Sequence, residues 1–224
     1  HPDAAANYGR LFRRLITWVS TTTAAGGLYE VDVRLRPDGD AGQTCVSLEA
    51  FKKYQLEKAW TWEHQALTRA RFVSEKEKIK KRFEQIRHTI LTQQRNICEL
   101  QSEIVAMREK MIPTHPSKEE NVKYARGGIV DVEFIVQYLI LAHSHIFPQL
   151  TQNYGNIALL GIAADLGLID LNLAHKSQEA YRYYRKVQHL SNLKDNATVE
   201  INNELLSHYE HVNILWKLCF PDYR

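Results

Sequence analysis

Residues 28–36 have the sequence LYEVDVRLR, in which apolar and charged side chains alternate. This period of two is typical of a β-strand with one face against a core and the other face open. A turn over residues 37–42 follows, and residues 44–48 and 69–73 are predicted as a short returning strand and a short edge strand. The side chains predicted to face the core are Tyr29, Val31, Val33 and Leu35, and those on the open face are Glu30, Asp32, Arg34 and Arg36.

Helical patterns lie on both sides of this strand. Residues 8–19 carry apolar side chains at helical spacing, and the helical period returns from Leu48 onward. The most apolar helix is predicted over residues 129–145, directly after a pair of glycines, and Gln137 interrupts its apolar run. These segments predict a chain that is mostly helical.

The fold class that follows is α+β and mostly α. Residues 1–73 are predicted to form a small α+β part, and residues 74–224 an all-helical bundle. Ser74 and Glu77 have the spacing of a capping box, and Asp170 is predicted to cap a later helix. Because a strand needs partner strands, and the sequence does not supply enough of them, we expect the chain to be a piece of a longer protein.

Composition excludes several classes of protein. The chain is 44% hydrophobic and 25% charged with a net charge of +3, which gives no reason to expect nucleic acid or an anionic membrane as a partner. No apolar run reaches the roughly 18 residues of a membrane span, and no secretory segment is found. Cys45, Cys98 and Cys219 form neither a disulfide framework nor a metal-binding pair. The expected compartment is the cytoplasm.

The charged face of the predicted strand has two interpretations. Two acids and two arginines on one side of a strand are costly to bury, so the face is either solvated or functional. A solvated face would pair its charges across neighbouring positions. A functional face would bind a divalent metal through its carboxylates and phosphate through its arginines. The alternation by itself does not choose between them.

Four separated motifs make the sequence recognisable. They are YEVDVRLRPDG at residues 29–39, AWTWEHQALTRAR at 59–71, MREKM at 107–111 and KYARGGIVDVEFIVQYL at 123–139. In order and spacing they resemble the bacterial glutamine synthetase adenylyltransferases, and the resemblance extends over about residues 8–190. The WTWEH form of the second motif resembles the AMP-attaching, C-terminal half of that family.

The resemblance implies a fold, a reaction and partners. The family has two nucleotidyltransferase domains that are similar to those of the polymerase-β type. One domain transfers AMP from ATP to a tyrosine of glutamine synthetase with Mg²⁺, and the other removes it by phosphorolysis. The implied partners are glutamine synthetase, the PII signal protein and glutamine as an effector. The predicted sheet would then be part of a nucleotidyltransferase domain.

The resemblance also implies three metal-binding acids. Asp32 matches the third acid and is the candidate catalytic residue, and Glu30 is a second candidate metal ligand. The first two acids form an Asp-x-Asp pair on an earlier strand, and nothing in this sequence matches that pair. Asp38 and Asp40 have the right spacing but lie in the predicted turn. The chain by itself is therefore expected to be inactive.

Further candidate residues are predicted to bind nucleotide. Arg34 and Arg36 match arginines of the family, and contacts with phosphate and with local carboxylates are both open for them. Lys123 and Asp131 lie at the start of the apolar helix. Gly127–Gly128 would expose N–H groups at the positive end of that helix, which favours an anion. Asp131 would also simply complement the helix dipole. A role for Lys123 and Asp131 in binding nucleotide or another domain stays a hypothesis.

Three residues of the second motif have a structural interpretation. Trp60, Trp62 and His64 have near-helical spacing, and aromatic residues in such a pattern are more often core than site. His64 beside Glu63 is interpreted as a structural pair.

The rival function for the whole chain is a helical module without chemistry of its own, which docks PII or glutamine synthetase.

Overall fold

The computed structural model describes residues 3–24, 26–27, 31–33, 37, 42–115, 120–193 and 199–222. In these ranges the chain forms nine α-helices, and a short 3₁₀-helix at Pro148–Thr151 lies between α6 and α7. The helices are α1 (Ala4–Ser20), α2 (Leu48–Glu57), α3 (Thr61–Thr68), α4 (Glu77–Leu91), α5 (Ile97–Met111), α6 (Ile129–His143), α7 (Asn156–Asp165), α8 (Leu171–Leu193) and α9 (Asn203–Cys219).

The predicted α+β class is wrong for the residues that the structure describes, which form no strand and no sheet. Residues 31–33 lie outside any ladder, and residues 44–48 and 69–73 are not strands either. The pairing found among the described residues is an isolated bridge between Thr23 and Gly26. A period of two indicates which faces a strand would have, but a ladder also needs a neighbouring strand. The rest of the predicted strand, residues 28–30 and 34–36, lies outside the described residues.

The centre of the bundle is α6. Its side chains are apolar on nearly every side, and it packs against α3, α5, α7, α8 and α9. Ile135 and Leu141 are fully buried, and burying each such side chain stabilises the fold by about 1.5–3 kcal/mol. The predicted apolar helix is therefore confirmed, and it ends at His143.

Of the two capping predictions, one is confirmed and the other is wrong. Asp170 caps α8 as predicted, because its Oδ1 accepts a hydrogen bond of 2.9 Å from the Leu173 N–H. The predicted capping box of Ser74 and Glu77 is wrong. α4 begins at Glu77 itself, and the Ser74 hydroxyl accepts a hydrogen bond from the Lys76 N–H instead. A glutamate at the first helical position cannot reach back as one at the third position does.

Two helices of the predicted N-terminal part pack onto the bundle. α2 lies against α4, and α3 lies against α4, α5 and α6. This packing brings residues 61–68 next to the central helix. A division of the chain at residue 73 stays a prediction.

Candidate functional site

A cleft of about 450 Å³ opens among α3, α5, α6, α8 and the loop before α6. Its walls combine three motifs that are far apart in the sequence: Trp62 and Gln65, Met107 and Met111, and Lys123 and Gln137. Helix α8 adds Arg185 and Gln188. The convergence of separated motifs makes this cleft the candidate site.

Apolar side chains and cations share the lining of the cleft. Trp62, Met107 and Phe134 line it and are half-buried. Lys123 and Arg185 also line it, and both are exposed. A cleft of this kind suits a ligand with an apolar body and an anionic group.

The acid in the cleft lining, Glu133, is paired. Its carboxylate lies 3.3 Å from Arg69 Nη1, and 61% of the Arg69 side chain is exposed against 22% of Glu133. The Tyr181 hydroxyl donates a further, long hydrogen bond of 3.5 Å to Glu133. Burial raises the pKa of that hydroxyl, and the negative charge of Glu133 raises it further. The charge of Glu133 is therefore largely balanced within the protein.

A buried pair of amides joins α3 to α6 in the wall of the cleft. Gln65 Nε2 donates a hydrogen bond of 2.8 Å to Gln137 Oε1, and both residues are buried. The bond explains why an otherwise apolar helix carries Gln137, since a buried amide needs a partner.

Lys123 lies in a tight loop at the rim. Its N–H donates a hydrogen bond of 3.2 Å to Asn121 Oδ1, and its ammonium lies 5.0 Å from the centre of the Tyr124 ring. The other partner of that ring is His115, whose ring is stacked on it at 4.2 Å. The structure places the predicted Lys123 side chain at the cleft, where an anionic ligand can meet it.

Asp131 is buried beneath this loop. Its Oδ1 accepts a hydrogen bond of 2.5 Å from Arg108 Nε, and its Oδ2 accepts one of 2.6 Å from the Gly127 N–H. Burial raises the pKa of the Asp131 carboxyl, and the Arg108 guanidinium opposes that shift. A direct contact between Asp131 and a nucleotide would require this arrangement to open.

The predicted anion site at the start of α6 is occupied by the protein itself. The N–H of Gly127 bonds to Asp131, and the next three N–H groups bond to carbonyl oxygens of the loop, at Ala125, Val122 and Lys123. A Cβ on Gly127 would lie 2.3 Å from the Tyr209 carbonyl oxygen, and one on Gly128 would lie 2.4 Å from the Val122 carbonyl oxygen. The two glycines therefore allow a close approach of backbones.

His64 has the structural role that its pattern predicts. Its Nε2 lies 2.9 Å from the Gln55 carbonyl oxygen, and its Nδ1 lies 3.1 Å from Arg95 Nη1. Because a guanidinium only donates, Nδ1 accepts and Nε2 carries the proton. Burial lowers the pKa of His64, and the positive charge of Arg95 lowers it further. The ring is thus held neutral.

Glu63 and Trp60, which lie close to His64 in the sequence, have different surroundings. The Glu63 carboxylate accepts a hydrogen bond of 2.9 Å from the Trp60 N–H and one of 3.2 Å from the Tyr54 hydroxyl, so it fixes the start of α3. The pairing predicted between Glu63 and His64 is thus replaced by separate partners. Trp60 is 68% exposed, so the core interpretation is wrong for its side chain.

The residues predicted on the strand are mostly not described. Asp32 is exposed, whereas Glu30, Arg34 and Arg36 lie outside the described residues. Among the residues with described positions, no three His, Cys, Asp or Glu side chains come close enough to hold a metal ion. The described residues by themselves therefore do not form a complete Mg²⁺ site.

Several residues of the site were not among the sequence candidates. Arg185 lies on α8 in a pattern that does not differ from a solvated helix face, so no signal marked it. Gln137 gave a signal, since a lone amide in an apolar helix implies a buried partner. Arg108 gave a weaker one, as an arginine on the inner face of a predicted helix.

Comparisons with known proteins define the class of protein. Residues 1–86 match the family model described as glutamate-ammonia ligase adenylyltransferase, and residues 95–207 match the one described as GlnD PII-uridylyltransferase. Both descriptions name nucleotidyltransferases, and this is the class of protein to which the chain is similar. It belongs to the family of bifunctional glutamine synthetase adenylyltransferase/adenylyl-removing enzymes.

Individual relatives agree along almost the whole chain. The bifunctional enzyme of Neisseria meningitidis serogroup A is 60% identical over 99% of this chain and 25% of its own length. That of Chromobacterium violaceum is 52% identical over 98% of the chain and 25% of its own length. The chain thus spans about a quarter of the length of these relatives. None of the described helices is long and apolar enough to cross a membrane.

Proposed function

We propose that the protein containing this chain transfers AMP from ATP to a tyrosine of glutamine synthetase, and so regulates nitrogen assimilation in the cytoplasm. The tyrosine oxygen attacks the α-phosphorus, the bond from that phosphorus to the bridging oxygen breaks, and pyrophosphate leaves. The hydroxyl proton passes to a carboxylate base. Family membership over almost the whole chain supports this reaction.

The observation that carries the proposal is the cleft. Three motifs, at residues 59–71, 107–111 and 123–139, line one cavity, and Lys123 is exposed at its rim. We assign to Lys123 a contact with an anionic group of the reactants. A charge-assisted contact of this kind contributes roughly 1.5–3 kcal/mol.

This chain would supply only some of the ligands of a Mg²⁺ ion. Mg²⁺ would stabilise the attacking and leaving oxygens. Asp32 would be one of its ligands, with Glu30 beside it, and the remaining carboxylates would have to come from outside this sequence. Arg34 and Arg36 would offset phosphate charge. The described residues do not complete such a site.

The proposal is tested by AMP incorporation with the full-length enzyme and labelled ATP. Lys123→Ala should lower kcat/KM by about 10- to 100-fold and change stability by less than about 0.5 kcal/mol. Lys110→Ala is the matched control, because Lys110 is exposed on α5 but does not line the cleft. Equal activity of the two variants would leave Lys123 as a solvated loop residue.

A second candidate function is regulatory docking. The match of residues 95–207 to a family described by PII-uridylyltransferase favours PII as a partner of the bundle, with glutamine as an effector. If the bundle docks PII, the 224-residue chain should bind purified PII in a titration. A bundle that serves catalysis alone would show no binding, while the full-length enzyme would still respond to PII through its other parts.

A further inference from the structure

We infer that the cleft binds the adenine nucleotide and that the joined amides of Gln65 and Gln137 recognise its base. The inference rests on the proposed function, because that function makes ATP the reactant. It adds a specificity site formed by two glutamines, neither of which the resemblance assigns to nucleotide binding.

The amide pair has hydrogen-bonding groups to spare. A glutamine side chain offers one carbonyl oxygen and two N–H donors. The bond from Gln65 Nε2 to Gln137 Oε1 uses one donor and one acceptor. Gln65 Oε1 and Gln137 Nε2 are therefore an acceptor and a donor that belong to one rigid unit in the cleft wall. This combination complements the N6 amino group of adenine and its adjacent ring nitrogen.

The apolar lining suits the faces of a purine. Trp62, Met107 and Phe134 are half-buried and line the same cavity as the amides. Stacking of a base on an aromatic side chain such as Trp62 or Phe134 is worth about 1–3 kcal/mol. The volume of about 450 Å³ lies within the roughly 300–1,000 Å³ of small-molecule sites.

The phosphates of the nucleotide would contact side chains at the rim of the cleft. The first N–H groups of α6 are already bonded within the loop, so the backbone offers no phosphate cradle at this helix start. Lys123 and Arg185 supply positive charge at the rim instead, and the charge of Glu133 is balanced by Arg69. The cleft thus has a base-binding wall and a cationic rim.

An acidic segment of the protein substrate is the rival occupant. It would also be attracted by Lys123 and Arg185, and its apolar side chains would fill the cavity. The amide pair favours the nucleotide, because a peptide side chain that is apolar would bury the spare acceptor and donor without partners. Nucleotide and peptide make different predictions for the two Michaelis constants.

The experiment compares ATP with purine riboside triphosphate, which lacks the 6-amino group, on the full-length enzyme. The wild-type enzyme should prefer ATP by about 5- to 10-fold in kcat/KM and in Kd, since one hydrogen bond is lost. The double variant Gln65→Met/Gln137→Met should reduce this preference to less than about 2-fold. Replacing both amides leaves neither one buried without its partner, so the fold should persist, which thermal unfolding checks.

A second variant tests the rim. Arg185→Ala should raise the KM for ATP by about 2- to 5-fold and leave the KM for glutamine synthetase unchanged. Lys186→Ala, on the same helix but outside the cleft lining, is the matched control and should change neither constant.

Two results would overturn the assignment of the cleft. One is a wild-type preference for ATP that survives in the double methionine variant. The other is an Arg185→Ala variant that raises only the KM for glutamine synthetase, which would give the cleft to the protein substrate. A wild-type enzyme that binds ATP with the expected preference but transfers no AMP would overturn the proposed function and uphold the nucleotide site.

Discussion

Arg108 and Asp131 join α5 to α6 through a hydrogen bond of 2.5 Å, and at most 1% of either side chain is exposed. The same guanidinium donates through Nη2 a hydrogen bond of 2.8 Å to the Tyr124 carbonyl oxygen. Asp131 accepts a hydrogen bond from the Gly127 N–H, three residues further along the loop. One ion pair therefore holds Tyr124 and Gly127, which lie directly after Lys123 in the chain, and it relates a buried contact to the rim of the cleft.

Removing one partner of this pair should be strongly destabilising. In the 224-residue chain, Asp131→Leu leaves the Arg108 charge buried and uncompensated, and we expect a loss of about 3–5 kcal/mol in the free energy of unfolding. The double variant Arg108→Leu/Asp131→Leu should lose less than the sum of the two single changes. Urea unfolding followed by circular dichroism measures these differences.

The control for that prediction is an exposed pair on the same loop. Arg126 contacts Glu109, with 41% and 52% of the two side chains exposed. Arg126→Met should cost less than about 1 kcal/mol, because water screens the pair. An Asp131→Leu variant as stable as this control would show that the buried pair does not hold the loop.

Gly127 should tolerate a methyl group far less well than Gly155. Both have a positive φ, of 80° and 83°, so alanine is strained at either position. A Cβ at Gly127 also meets the backbone of Tyr209 at 2.3 Å, whereas nothing lies within 4 Å at Gly155. Gly127→Ala should therefore cost about 1–3 kcal/mol more than Gly155→Ala in urea unfolding. Equal losses would mean that α9 gives way without cost.

The helices were predictable from the sequence because their signals are local. α6 shows this, since its apolar residues lie on nearly every side and identify a buried helix whatever surrounds it. The cap at Asp170 is equally local. The strand prediction at residues 28–36 used local information for a feature that needs a partner, and the part of it that is described forms no ladder.

The cleft could not be predicted in the same way. Lys123 was a candidate because of its motif, yet its neighbours Trp62 and Arg185 are about sixty residues away on either side. Only the packing of α3 and α8 against α6 brings them together. Asp131 was a candidate for binding nucleotide or another domain, whereas the structure pairs it with Arg108. Nothing in the sequence indicates this pairing.

The neutral state of His64 predicts a loss of stability in acid. Burial lowers the pKa of the folded state below its ordinary value of 6.5, so the unfolded chain binds a proton first as the pH falls. Stability therefore falls as the pH drops below about 6.5, by up to about 1.4 kcal/mol per pH unit. The loss levels off below the folded pKa.

A substitution isolates the contribution of His64. His64→Gln should narrow the difference in unfolding free energy between pH 7.5 and pH 5.5, while His175→Gln, at an exposed position on α8, should not. The measurement is urea unfolding at the two pH values. If the His64 variant keeps the full difference, other groups are responsible for the acid sensitivity.

Asp32 should be needed for transfer of AMP but not for folding. Its side chain is exposed, so Asp32→Asn, which is nearly isosteric, should leave the unfolding free energy within about 0.5 kcal/mol of wild type. The change removes a hard anionic oxygen that Mg²⁺ prefers, so Mg²⁺-dependent adenylylation by the full-length enzyme should be abolished. Asp165→Asn, at another exposed aspartate on α7, is the matched control and should keep full activity. An Asp32→Asn enzyme with the wild-type kcat and an unchanged requirement for Mg²⁺ would place Asp32 on a solvated face, and the metal ligands would then have to be sought elsewhere in the protein.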